Sequence, residues 1–102
     1  MKIIKELIEE MDDELKGAGD YADRALLYKN TDKVLADMYY NMSLQEMNHH
    51  NELHNAVVRM ITKYRETNGE PPEAMKAVYD WEHKKDIARA KDVKAAQALY
   101  KG

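Results

Sequence analysis

Cysteine and phenylalanine are absent from the 102 residues, and only two Pro, four Gly and one Trp occur. Without Cys, disulfides and thiolate metal sites are excluded, and a reducing compartment is compatible with the chain. A continuous apolar run is missing too. The opening residues, MKIIKELIEEM, carry acids within the apolar stretch and lack the pattern of a signal peptide or a membrane span. A cytoplasmic location without a membrane partner is therefore expected. Basic charge is not in excess: the net charge is −3, and Lys and Arg are interleaved with acids along every segment. That distribution lacks the basic stripe of a nucleic-acid surface, so no nucleic-acid partner is expected.

What is present suits a folded helical protein. The apolar fraction is 44% and the charged fraction 34%, with seven Met and seven Tyr available to fill a core. The length allows one domain, residues 1–102, and a domain this small buries a limited share of its surface. Association into a dimer or a higher even-numbered oligomer is expected to add stability.

Apolar periodicity divides the chain into three helices. Ile4, Leu7, Ile8, Met11, Leu15, Ala18, Ala22, Ala25 and Leu26 follow the i, i+3, i+4 spacing of an amphipathic helix, predicted over about 2–29. Gly17 and Gly19 lie inside it, where they either weaken the helix or permit close packing. Asn30, Thr31 and Asp32 offer capping side chains before a second helix, predicted over about 31–67 with Leu35, Met38, Tyr39, Met42, Leu53, Ala56, Val57, Met60 and Tyr64 on its apolar side. Asn68, Gly69, Glu70, Pro71 and Pro72 form the clearest break. A third helix is predicted over about 72–100, with a broad stripe of Met75, Val78, Tyr79, Ile87, Ala90, Val93 and Leu99. The short turn near Asn30 makes the first two helices antiparallel neighbours. The predicted fold class is all-α: a helix hairpin plus a third helix.

Polar residues interrupt the hairpin at matched positions. Glu46 and His49 are spaced i, i+3 on the apolar face of the second helix, between Met42 and Leu53, and Glu14 stands between Met11 and Ala18 in the first, so the cluster is expected on the buried face of the hairpin. From a turn centred on Asn30, Glu14 is 30 − 14 = 16 residues back and Glu46 is 46 − 30 = 16 residues on, so each lies roughly 24 Å from the turn. Two carboxylates and an imidazole at one height are costly to bury unpaired, and a divalent metal supplies the missing countercharge.

Glu14 followed by Tyr21, then Glu46 with His49 three residues on, resembles the helix pair of the ferritin-like superfamily, as in rubrerythrins, bacterioferritins and encapsulated ferritins, over about residues 3–64. In length the chain also resembles small phage or mobile-element ferritin-like proteins. In the superfamily one Glu from one helix and a Glu-x-x-His from the next make half of a di-iron carboxylate site. The resemblance implies Glu14 as a terminal ligand, Glu46 as the bridging carboxylate, His49 as the imidazole ligand and Tyr21 as a hydrogen-bonding partner behind them with a part in catalysis. It also implies iron, or another divalent metal, as the cofactor and ferroxidase or other di-iron oxidoreductase activity. Because this chain has one helix pair and one extra helix, a complete site implies a homodimer.

Other arrangements remain open. Glu82, His83 and Asp86 are metal-capable and would complete the site from the third helix, although helix counting places Asp92 opposite Glu46 and His83 roughly 14 Å away. His50 and His54 are spaced i, i+4 but lack the Glu of a zinc-protease motif, and are expected at the surface or an interface. Glu14, Glu46 and His49 also fit a hydrogen-bonded network that fixes helix register. In that case the chain is a non-catalytic interaction or assembly module with a protein partner.

Overall fold

The apolar pattern of the first segment becomes α1, Lys2–Tyr28, in a computed structural model that describes residues 2–102. The chain continues into α2, Lys33–Asn68, and α3, Glu73–Lys101, and no strand occurs among the described residues. The three helices form a rod of 55 × 18 × 18 Å. None of them is long and apolar enough to cross a membrane among the described residues.

Both breaks have local causes. Asp32 is the N-cap of α2: its carboxylate accepts from the Leu35 N–H at 3.1 Å, so the helix starts at Lys33, two residues later than the sequence reading placed it. At the other end Gly69 adopts φ 75°, a conformation that side chains disfavour, and its N–H caps the Arg65 carbonyl at 3.0 Å. Pro72 then stands one position before α3. Glu70 ties the break to both flanking helices through Arg65 at 3.4 Å and Lys76 at 3.1 Å. Replacing Asp32 with Ala removes the one side-chain cap of α2 and is expected to cost about 1 kcal/mol in urea unfolding. A loss below about 0.3 kcal/mol would show that the turn holds the helix start without it.

The interior follows the width of the side chains. Near the turn Ala18, Ala22 and Ala25 of α1 and Ala36 and Ser43 of α2 are all fully buried, and such small residues let the helices approach closely. The Ser43 hydroxyl uses that closeness to donate to the Ala18 carbonyl at 2.6 Å. In the middle Leu15, Ala18, Met47 and Val93 form one cluster, and at the far end Ile4, Met11 and Val57 form another. Tyr100 closes the turn end against Ala25 and Ala36.

The third helix differs most from its sequence reading. Its buried residues are Asp86, Val93, Gln97 and Tyr100, whereas Val78, Ile87 and Leu99 of the expected stripe are more than half exposed. The reason is the surface that α3 meets. It packs beside α1, with Val93 on Ala18, and it meets α2 through polar pairs, so hydrogen-bonding side chains take the inward positions.

Candidate metal centre

Glu14 of α1 and Glu46 and His49 of α2 come together as helix counting requires, because the turn is short and the two helices run antiparallel. One donor atom from each lies within 4.8 Å of the others, and this is the one such group of three among the described residues. His49 Nδ1 stands 3.3 Å from Glu14 Oε2. The cluster sits on a flank and not on the buried face that its apolar surroundings implied: the His49 side chain is 54% exposed and that of Glu14 27%. The buried stripe of α2 runs through Ala36, Ser43, Met47, His50 and Val57, which leaves residues 46 and 49 one step to its side.

Electrostatics mark the pair of acids. Hydrogen bonding to Glu14 raises the Glu46 carboxyl above the usual carboxylate range; burial and the Glu14 charge act in the same direction, and His49 opposes them. Glu46 also lies against bare backbone, because a Cβ at Gly17 would stand 3.2 Å from its Oε2. The donor set is two hard carboxylates and one imidazole, which suits iron, manganese or zinc. Donors bonded at about 2.1 Å to one ion lie within roughly 4.2 Å of each other, so small side-chain rotations would bring these three into range.

The remaining residues singled out from the sequence are elsewhere. Tyr21 stacks on Tyr39 at 6.0 Å, which in turn stacks on Tyr28 at 6.1 Å. It belongs to an aromatic column on the turn side of the cluster, not to a bond with the acids. Val93 packs with Met47, so the part of α3 level with Glu46 is the neighbourhood of Asp92. His83 instead stacks on His54 at 6.0 Å, and Asp86 accepts from His50 Nε2 at 2.7 Å. His83 and Asp86 therefore stand apart from the Glu14 group.

The His50–Asp86 pair is the site that the sequence reading missed. His50 was expected at the surface or an interface, but the residue is 4% exposed and joins α2 to α3. Asp86 raises the His50 pKa above its ordinary value against the opposing effect of burial. The signal for its burial lay in the spacing, since His50 follows Met47 by three residues and precedes Val57 by seven. The pair continues a polar seam between α2 and α3 in which Gln97 donates to Ser43 at 2.9 Å and Tyr100 to Asp37 at 2.5 Å. Beyond it, a cavity of about 360 Å³ opens between the far halves of the helices, lined by Met11, Val57, Ile61, Tyr79, His54 and His83 among others, and separate from Glu14, Glu46 and His49. Set against known proteins, the chain matches no family model, no curated protein and no solved structure.

Proposed function

We propose that the chain is a ferritin-like metal-binding protein that holds iron through Glu14, Glu46 and His49, with the site completed by a second copy. The observation that carries this reading is the convergence of two carboxylates and an imidazole from two helices within 4.8 Å. The flank they occupy also supports it. α3 meets Asp12, Ala18 and Gly19 of α1 and Ser43, Met47, His50 and His54 of α2, so the side bearing Glu14, Glu46 and His49 is left free for a partner.

The chemistry follows from the donors. Anionic oxygens favour Fe(III) over Fe(II), and bound iron with an open coordination position would supply one-electron redox chemistry toward oxygen or peroxide. Glu14 and Glu46 would provide the countercharge, and His49 a neutral nitrogen donor from the solvent side. One copy has three donors, fewer than two ions need, and a twofold axis through the flank would double them. The resulting activity is that of a ferroxidase.

Metal analysis combined with the mass in solution tests this. Protein loaded with Fe(II) is expected to retain about one iron per chain and to run at twice 11.9 kDa or a higher even multiple in light scattering. A monomer that binds iron would sink the shared site. An oligomer that binds no metal would instead favour a non-catalytic assembly module, for which the exposed Val78, Trp81 and Leu99 of α3 offer apolar surface.

A further inference from the structure

Glycine is the poorest helix former after proline, yet α1 contains two, at Gly17 and Gly19. Neither needs a glycine backbone, since the only positive φ among the described residues is that of Gly69. What differs between them is the space a side chain would take. A Cβ at Gly19 would meet Val93 Cγ2 at 3.6 Å, an ordinary packing distance. A Cβ at Gly17 would meet Glu46 Oε2 at 3.2 Å, with Cδ at 3.5 Å and Cγ at 3.7 Å.

We propose that Gly17 is a positioning residue for the metal centre: its missing side chain is the notch in which the Glu46 carboxylate lies beside Glu14. The inference rests on the metal-binding reading above. Glu14 and Gly17 are one turn apart on the same face of α1, so Glu46, reaching across from α2, meets a carboxylate and then bare backbone. The notch holds Glu46 inward, within reach of both Glu14 and His49. An Ala here leaves the helix intact and forces the carboxylate outward by a few tenths of an ångström. The Cβ would take space that the carboxylate uses beside Glu14, at the far end of a flexible side chain, so its effect falls on the orientation of Glu46 and little on the fold. The contacts that orient ligands typically carry 10–100-fold in metal affinity.

The test compares Gly17→Ala with Gly19→Ala in the full chain, by anaerobic Fe(II) titration calorimetry and by thermal melting of the metal-free proteins. Gly17→Ala is expected to weaken Fe(II) binding roughly tenfold or more while its metal-free melting temperature stays level or rises. Gly19→Ala is expected to raise the melting temperature and to bind Fe(II) as the wild type does. Equal affinity in Gly17→Ala and wild type would overturn the proposal. So would equal losses in the two variants, which would trace the effect to helix stiffness, or a Gly17→Ala chain that fails to fold, which would make the contact a packing requirement. If the wild type itself binds no Fe(II), the metal reading fails first and takes this one with it.

Discussion

Asp86→Ala is expected to lower the unfolding free energy by about 2–3 kcal/mol, the cost of leaving a buried polar group without its partner. For a chain of this size that corresponds to a fall in melting temperature of roughly 10–20 °C. The effect is large because of where His50 sits. Its residue is 4% exposed, Asp86 accepts from Nε2 at 2.7 Å and the Asn51 amide oxygen faces Nδ1 at 3.1 Å. With an acceptor at each ring nitrogen, the doubly protonated imidazolium is the form this environment satisfies. Asp86 accordingly raises the His50 pKa above 6.5. A raised folded value means that the stabilisation is fully present below pH 6.5 and is lost as pH rises through the raised folded value. The gap between wild type and Asp86→Ala should therefore be widest near pH 6 and narrower once pH has passed the raised folded value, where a neutral ring still donates from Nε2. Replacing both partners, His50→Leu with Asp86→Leu, should recover much of the loss, since apolar substitutes leave nothing unpaired. An Asp86→Ala protein that melts within a degree of wild type at pH 6 would show that solvent reaches His50 and that the seam is not closed.

How much of this was legible in the sequence depends on which side chains face inward. For α1 the rule that apolar residues lie inside holds: Ile4, Met11, Leu15, Ala18, Ala22 and Ala25 were all on the predicted stripe and all are buried. The two breaks and the common height of Glu14 and Glu46 were legible as well, because helix rise and a short turn fix them without any knowledge of packing. The rule fails along α2 and α3, where Ser43, His50, Asp86 and Gln97 are buried and pair with one another or with backbone. A polar residue on an inward stripe reads as an interruption in a single sequence, and only its partner, 36 or 54 residues away, shows why it is there. Tyr21 illustrates the same limit. The ferritin-like resemblance implied a hydrogen-bonding place for it behind the ligands, whereas the neighbour it meets is Tyr39 across the hairpin.

Two consequences follow from the polar seam and the apolar hairpin taken together. The hairpin joins its two helices through Leu15, Ala18 and Met47 and through Ile4, Met11 and Val57, while α3 adds hydrogen bonds whose net contribution is about 1 kcal/mol each. The seam also leaves the flank bearing Glu14, Glu46 and His49 outside the contact with α3. His50 of the seam directly follows His49 of the cluster, so changes in the two are neighbours on one helix and a double-mutant cycle is needed to separate their effects on stability.

Glu46→Ala is expected to abolish Fe(II) binding in titration calorimetry, whereas His83→Ala should leave it unchanged, because His83 stacks on His54 about eight residues along α2 from Glu46. Equal losses in the two variants would mean that α3 shares the site and that the height of His83 is misread. The same acids determine how the metal-free protein responds to pH. Hydrogen bonding to Glu14 raises the Glu46 carboxyl above its ordinary value of 4.5, burial and the Glu14 charge reinforce it, and His49 offsets part. A folded value raised above the unfolded one gives stability that is fully present below pH 4.5 and is lost as pH climbs through the raised value. Bound metal supplies the countercharge that the proton supplied at low pH, so its stabilising effect is greatest above that window. At a hundred times its dissociation constant a bound ion contributes about 2.7 kcal/mol, which sets the scale of the loss on chelation at pH 7. Near pH 5 the loss should be smaller, since protonation relieves the same repulsion while it weakens binding. The variant with both Glu14→Gln and Glu46→Gln separates repulsion from ligation: without metal at pH 7 it should melt above the wild type, and added iron should not raise it further. If chelation leaves the wild-type melting temperature at pH 7 unchanged after occupancy has been confirmed, the ion does not stabilise the fold. If the double Gln variant also melts with the metal-free wild type, the two acids are solvated and the assembly-module reading takes the place of the metal site.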